Sequence, residues 1–325
     1  MPLASGDHLE IYSSPNLKDW TKESDFGQKE GSHGGVWECP DLFPLKTKDG
    51  IEKWVLIQNI DRGAISGGSG TQYFIGWFDG KTFINDNNAS TTFWFDYGAD
   101  NYAGVTWFGA PNNRRIFIGW MSNWDDYANL VPTTGWRNAM TIPREISLLN
   151  TLEGLRVAQQ PIDELKKLRR EKSSIGQKNF SDSLIISMNN VQKELELEFD
   201  LSKSASTSLG FTISNSRNEK VTVGYDKTKS ELFIDRTASG KTGFSKKFPE
   251  RHAAPYKING ALKIHAFVDN SSVEIFVDEG VIVMTELFFP NEDFQKVTLF
   301  SNGGNAALTR ATIFNLQPIW SPDIK

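Results

Sequence analysis

The chain has 325 residues, 38% hydrophobic and 23% charged, which gives enough apolar material for a packed core and excludes general disorder. Its formal net charge is −5, with no basic stripe or block of like charge, which excludes nucleic acid and anionic membrane as partners. No apolar run approaches the ~20 residues of a membrane-spanning helix, and 10 Trp with 22 Phe supply side chains that pack cores or stack on sugar rings.

From residue 1 to 157 the sequence predicts short strands with turns between them. Leu9-Glu10-Ile11-Tyr12 alternates and Ser13-Ser14-Pro15-Asn16 ends it. Trp54-Val55-Leu56-Ile57 is a run of the fully buried type, and Gln72–Phe78 runs into the turn Asp79-Gly80. Phe93-Trp94-Phe95, Val105–Phe108 and Arg115–Trp120 repeat the pattern. Strands at short spacing with recurring aromatic and glycine punctuation suit the blades of a β-propeller. Residues 158–175 read as a linker helix centred on Pro161–Arg170, with acids early, bases late and an Ile162, Leu165, Leu168 stripe. Residues 176–325 are β again. Leu262–Val268 alternates, and Val273–Val277 and Val281–Thr285 flank Asp278-Glu279-Gly280 as a hairpin, the texture of a β-sandwich.

The chemistry-bearing segment is Trp37-Glu38-Cys39-Pro40-Asp41-Leu42-Phe43, approached through Gly34-Gly35. Bulky neighbours can exclude water from Glu38, and glycines let backbones approach closely. Glycoside hydrolysis needs one carboxylic acid to protonate the leaving oxygen and a second carboxylate as nucleophile or base. Asp41, three residues on in an extended segment, is expected to orient neighbouring groups rather than to be that partner. Asp125-Asp126 reads as a solvated turn and Gly67-Gly68-Ser69-Gly70 as a flexible connection, since no Lys-Ser/Thr follows it. His8, His33, His252 and His265 lack metal-ligand spacing. No Gly-x-Ser-x-Gly elbow supports a serine nucleophile. The single cysteine, Cys39, rules out an intramolecular disulfide. Asn-x-Ser sequons fall at Asn88, Asn179 and Asn270.

Trp37–Phe43 resembles the acid/base motif of the invertase-type β-fructosidases, glycoside hydrolase family 32, and the likeness extends along nearly the whole chain. Ser13–Trp20 resembles the strand and turn before that motif. Thr71–Gly76 resembles a third-blade strand, Asp96–Ala103 a fourth-blade pocket segment, and Gly119–Trp124 with Trp136-Arg137 the fifth blade. Val268–Phe276 resembles the family's sandwich strand. The resemblance implies an all-β chain, a five-bladed propeller followed by a C-terminal β-sandwich. It implies retaining hydrolysis of terminal β-D-fructofuranosyl bonds in sucrose, levan or inulin, without metal or cofactor. Glu38 would be the acid/base, and Trp37, Asp100, Trp120 and Trp124 would line the substrate pocket. Read from the residues alone, Asp100 also fits a turn cap and the tryptophans also fit a core. The family's nucleophile lies in an Asn-Asp-Pro-Asn-Gly-type motif and a second aspartate in Arg-Asp-Pro; the 325 residues contain neither. The chain is therefore expected to start one blade and part of a second into the propeller, at about 45 residues per blade, and to be inactive alone. The alternative is a non-catalytic carbohydrate-binding remnant. The family resemblance also implies secretion, although the opening residues lack signal-peptide character, and the sandwich offers a surface for a homodimer.

Overall fold

In the computed structural model, residues 1–187 and 190–319 are described, and they form two compact units. One comprises Met1–Asn129 with Trp136–Pro161, and the other Leu130–Gly135 with the chain from Ile162 onward.

The first unit is three antiparallel sheets. Strands β1 (Pro2–Ser5), β2 (His8–Ser13) and β3 (Thr21–Phe26) make the first. The second is β4 (Trp37–Lys46), β5 (Glu52–Ile60), β6 (Gly70–Phe78) and β7 (Phe83–Asn85), with β8 (Phe93–Trp94) paired to β6. The third is β9 (Tyr102–Thr106), β10 (Ile116–Met121), β11 (Ala139–Met140), β12 (Arg144–Thr151) and β13 (Gly154–Pro161). The middle sheet is covered on both faces, as a propeller blade requires. Alternation on β5 and β6 divides their side chains between two cores. Leu56, Ile60 and Phe74 join Leu9, Ile11 and Phe26 of the first sheet. Val55, Ile57, Tyr73 and Ile75 join Phe117, Ile146, Leu148 and Val157 of the third.

Two expectations are corrected here. The segments assigned to third, fourth and fifth blades occupy only two sheets. Thr71–Gly76 belongs to the sheet of Glu38, and Tyr102 and Trp120 face each other across one ladder. Aromatic and glycine punctuation marks strands, and a strand is not a blade. The predicted helix over 158–175 is also absent. Strand β13 continues to Pro161 opposite Arg144, a 3₁₀ turn covers Asp163–Leu168, and β14 (Arg169–Ile175) pairs with the last strand. The Ile162, Leu165, Leu168 stripe recurs every three residues, which is the 3₁₀ repeat and not the 3.6-residue period of an α-helix. Arg169 gains more in the sheet, where its guanidinium sits 2.6 Å from Glu194 and 3.8 Å above the Phe314 ring.

The second unit is the sandwich. Its strands are β14, β15 (Lys178–Ser187), β16 (Lys193–Asp200), β17 (Ser208–Ser214), β18 (Lys220–Asp226), β19 (Glu231–Asp235), β20 (Arg251–Pro255), β21 (Ala261–Val268), β22 (Ser272–Val277), β23 (Ile282–Leu287) and β24 (Lys296–Leu316). The 21-residue β24 serves both layers: Lys296–Asn302 pairs with β17, and Leu308–Asn315 pairs with β16. It bends at Gly303-Gly304, with φ of 71° and 150°. A side chain at Gly304 would stand 2.8 Å from the Ala205 carbonyl, so glycine is required there. The expected hairpin is present, with Val277 opposite Ile282.

Candidate active site

Glu38 owes its position to a β-bulge. It stands opposite Asn59, whereas Asp41 stands opposite Ile57, so β4 carries one extra residue across this stretch. Cys39 accommodates it with left-handed backbone at φ 49°. The extra residue shifts the phase of the strand. Trp37 packs in the core shared with the first sheet, while Phe43 packs in the core shared with the third. Regular alternation would put residues 37 and 43 on one face and Glu38 and Asp41 on opposite faces. With the bulge, both carboxylates turn toward the third sheet. Asp41 Oδ2 accepts the Thr106 amide at 2.7 Å and the Thr106 hydroxyl at 2.6 Å, and the Tyr102 hydroxyl donates to Glu38 Oε2. Asp41 thus holds β9 against β4 and orients its neighbours, as the sequence led us to expect.

A bulge frees carbonyls from the ladder, and buried polar groups must find partners. Gln58 Nε2 donates to the Glu38 carbonyl at 2.9 Å, and Asn59 Nδ2 donates to the Cys39 carbonyl at 3.1 Å. The Thr71 hydroxyl donates to Asn59 Oδ1 at 2.6 Å. All three side chains are buried. A second bulge lies on β9, where the pairing with β10 slips between Ile118 and Trp120 and Ala103 has φ 52°. The acid and the tyrosine that binds it are therefore each placed by an irregular, strained backbone, a device concentrated at functional sites. Burial, reinforced by the hydrogen bond to Glu38, pushes the Tyr102 phenol well above its usual range and keeps it a donor. Partial burial and the charge of Glu38 push the Cys39 thiol up, which suppresses a reactive thiolate.

The glycine-rich approach packs against its own chain. A side chain at Gly35 would meet Asp61 Oδ1 at 1.9 Å and one at Gly34 would meet the Gly63 Cα at 2.5 Å. Asp61 Oδ1 also accepts the Val36 amide at 2.7 Å.

Tyr102 leads on to two tryptophans. Its ring lies 6.4 Å from that of Trp120, which lies 6.1 Å from that of Trp124 in an edge-to-face arrangement. Trp124 is 56% exposed. Its turn is nevertheless fixed by Asn123, a buried side chain that bonds four backbone groups. Asn123 Nδ2 donates to the carbonyls of Gly67 at 3.2 Å and Ala99 at 3.1 Å. Its Oδ1 accepts the amides of Ser69 at 3.2 Å and Asp126 at 3.1 Å. The Trp124 amide donates to Ser69 Oγ at 2.8 Å. The Gly67–Gly70 segment, expected to be a flexible connection, is thereby pinned under the Trp124 turn.

The structure brings Glu38, Trp120 and Trp124 together through Tyr102. Two other residues expected in the pocket are placed elsewhere. Trp37 is 0% exposed, its Nε1 donating to the Ser32 carbonyl at 2.9 Å and its ring stacked on His33, because adjacent strand residues face opposite ways and Glu38 takes the other face. Asp100 is also 0% exposed and accepts the Tyr127 hydroxyl at 2.8 Å, so neither residue presents surface to a ligand. Beside Asp100, Asp96 forms a buried pair with Arg144 at 3.0 Å. Tyr102, Asn123, Gln58, Asn59 and Thr71 were not singled out from the sequence. Their roles depend on cross-strand register, although Pro40 inside a strand pattern signals a bulge or an edge.

Two clusters have the ligand types of a metal site: His8, Glu10 and Asp25, and Glu194, Glu196 and His265. In each a base already neutralises the carboxylates. Lys22 lies 2.8 Å from both Glu10 and Asp25, and Arg169 lies 2.6 Å from Glu194 and 2.9 Å from Glu196.

These features define an all-β protein of propeller blades and a sandwich, in which Glu38, Tyr102, Trp120 and Trp124 form one continuous series of side chains. The chain belongs to glycosyl hydrolase family 32: residues 2–161 match the glycosyl hydrolases family 32 N-terminal domain and residues 164–315 the family 32 C terminal. It is 41% identical over 329 residues to the levanase of Bacillus subtilis strain 168, covering 98% of this chain and 48% of the levanase. It is 37% identical to the extracellular exo-inulinase of Aspergillus awamori, covering 98% of this chain and 62% of the inulinase. The crystal structure of an Aspergillus awamori exo-inulinase superposes with a TM-score of 0.89 at 34% identity, covering 97% of this chain and 63% of that one. The chain thus spans about half to two thirds of the length of these relatives.

Proposed function

We propose that the propeller unit carries the acid/base half of a retaining β-fructosidase site, acting on terminal β-fructofuranosyl bonds of levan, inulin or sucrose. The observation that carries this reading is Glu38, turned by its bulge toward the third sheet and bonded by Tyr102, whose ring leads on to Trp120 and Trp124. Relatives described as levanase and extracellular exo-inulinase support it, as does the likeness to a Schwanniomyces occidentalis β-fructofuranosidase complexed with fructosyl-erythritol. Trp124 offers a ring face for a sugar. Glu38 protonates the leaving oxygen while a partner carboxylate attacks the anomeric carbon, and it then takes a proton from the water that releases fructose. Tyr102 acts as a positioning residue, holding one carboxylate oxygen so that the other faces the substrate. By family resemblance the nucleophile is the aspartate of an Asn-Asp-Pro-Asn-Gly-type motif, which these 325 residues do not contain. Secretion, in keeping with the extracellular description of the Aspergillus relatives, is part of the same proposal.

The test is fructose release from levan, inulin and sucrose by the chain joined to a motif-bearing N-terminal segment, with and without Glu38→Gln. Loss of roughly 10²–10⁴-fold in kcat is expected on removing the acid. Undiminished turnover by E38Q would refute the assignment. Calorimetric fructan binding by the 325-residue chain without turnover in the joined form would favour a non-catalytic binding module.

A further inference from the structure

The sandwich unit has an open groove of about 530 Å³, within the ~300–1,000 Å³ range of small-ligand sites. Gln177 and Asn179 form one wall, and Glu198, Asp200, Ser202 and Lys203 another. The groove exists because its floor is small. Gly260, Ala261 and Ala307 lie between strands whose outward neighbours, such as Glu198 and Lys263, are long. Above Gly260 there is no atom within 4 Å of where a Cβ would stand. A β-bulge shapes the remaining side. Glu198 stands opposite Arg310 and Phe199 opposite Leu308, so Thr309 is the extra residue and its side chain is re-aimed out of the ladder's alternation.

Hydrogen-bonding capacity in the groove divides into committed and free groups. Asp200 Oδ1 accepts the Ser202 hydroxyl and amide and the Lys203 amide, and its Oδ2 lies 2.9 Å from Lys203 Nζ. That wall is a self-contained turn with its charge balanced. Gln177, Asn179, Glu198 and Thr309 make no side-chain hydrogen bond or ion pair among the described residues. They offer two amides, a carboxylate and a hydroxyl facing one depression. A metal ion finds too few ligands here, since the described clusters of three or more ligand groups lie elsewhere. An anion would meet Glu198. A neutral polyol suits the set, because each sugar hydroxyl both donates and accepts and a carboxylate can take two neighbouring hydroxyls.

We propose that this groove is a second saccharide site, which holds a short neutral oligosaccharide through Asn179, Gln177, Glu198 and Thr309. It lies wholly within the sandwich, so it would tether polymer independently of Glu38. That its ligand is fructan rests on the reading given above; that it binds neutral saccharide does not.

Calorimetric titration of the 325-residue chain with short inulin-derived oligosaccharides, and separately with maltotriose, tests it. The variants are the pair Asn179→Ala with Glu198→Gln, and Ala261→Phe, which fills the floor and leaves the polar groups intact. Asn179 and Ala261 are exposed and Glu198 is half-buried, and unchanged denaturation midpoints check that each variant folds. Binding that falls roughly tenfold or more, about 1.4 kcal/mol, in both groove variants is the expected result. Binding that is indifferent to both groove variants overturns the proposal, and so does no binding of either saccharide. Maltotriose binding that depends on the groove, with no fructo-oligosaccharide binding anywhere, would uphold the groove and sink the fructosidase reading.

Discussion

Replacing Asn59 with alanine removes the support of the bulge beneath Glu38. The change deletes the bond from Nδ2 to the Cys39 carbonyl and the acceptor at 2.6 Å from the Thr71 hydroxyl. Thr71 has a second acceptor, the Asn101 carbonyl at 3.4 Å, so its hydroxyl is not stranded. The Cys39 carbonyl has no such fallback. Two net hydrogen bonds at about 1 kcal/mol each, with a further ~1 kcal/mol for the stranded carbonyl, give a loss of about 3 kcal/mol. Denaturant unfolding followed by tryptophan fluorescence reads the propeller unit, because nine of the 10 tryptophans lie between Trp20 and Trp136. A second readout is local: Cys39 is exposed and is the single thiol, so its rate of reaction with an aromatic disulfide reports the bulge. N59A should speed that reaction. A cycle with Thr71→Val should show a coupling of about 0.5 kcal/mol or more, since the two side chains touch. An N59A protein within about 0.5 kcal/mol of the parent, with an unchanged thiol rate, would refute the view that Asn59 holds the acid in place.

In the Ala261→Phe background, where the groove is filled, Trp124→Ala should weaken the remaining saccharide binding roughly 3–10-fold while leaving the unfolding midpoint nearly unchanged, because the ring is 56% exposed. Asn123→Ala should lower both, since four backbone groups lose a buried partner; equal midpoints for the two variants would contradict the role given to Asn123. Lys193 is buried on β16, and burial lowers its pKa from 10.5 to about 8. The unfolded chain then binds more protons between those values, so this residue makes stability rise with pH across that window. Lys193→Met should therefore be more stable than the parent at pH 7, by at most roughly 3 kcal/mol, with the gap closing toward pH 10.5. A gap that stays constant from pH 7 to 10 would show that Lys193 is not destabilised by burial.

The sequence carries the strands well and their grouping poorly. Leu9–Tyr12, Trp54–Ile57 and Val273–Val277 all lie in strands where alternation places them. Which strands share a sheet is a matter of long-range register, and nothing local in Thr71–Gly76 or Gly119–Trp124 encodes it. The linker segment shows the other kind of failure. Its dipole-matched charges are genuine, but six residues of 3₁₀ turn are enough to use them, and the sheet then claims Arg169. Around Glu38, the sequence draws the eye because the neighbours are unusual. Tyr102 does not stand out, because a tyrosine at the start of a strand acquires meaning only from the carboxylate that the facing sheet delivers to it.

Trp37 and Asp41 show how far the parts of this motif depend on backbone phase as well as on residue type. The motif is one bulge wide. Pro40 cannot donate to a ladder and β4 is an edge of its sheet, the two settings in which a strand tolerates proline. Cys39 takes the left-handed backbone that the extra residue demands, at a strain of about 1–2 kcal/mol. Buried Gln58 and Asn59 satisfy the carbonyls it frees. The phase shift then sends Trp37 into one core and Phe43 into the other, and turns Glu38 and Asp41 to the same side. Trp37 is thus the anchor that lets its neighbour be exposed, and Asp41 is the clamp that brings Tyr102 to the acid. A regular strand with the same residue types would bury one carboxylate whenever it presented the other, so the bulge is what allows this short segment to hold both an acid and the residue that positions its partner.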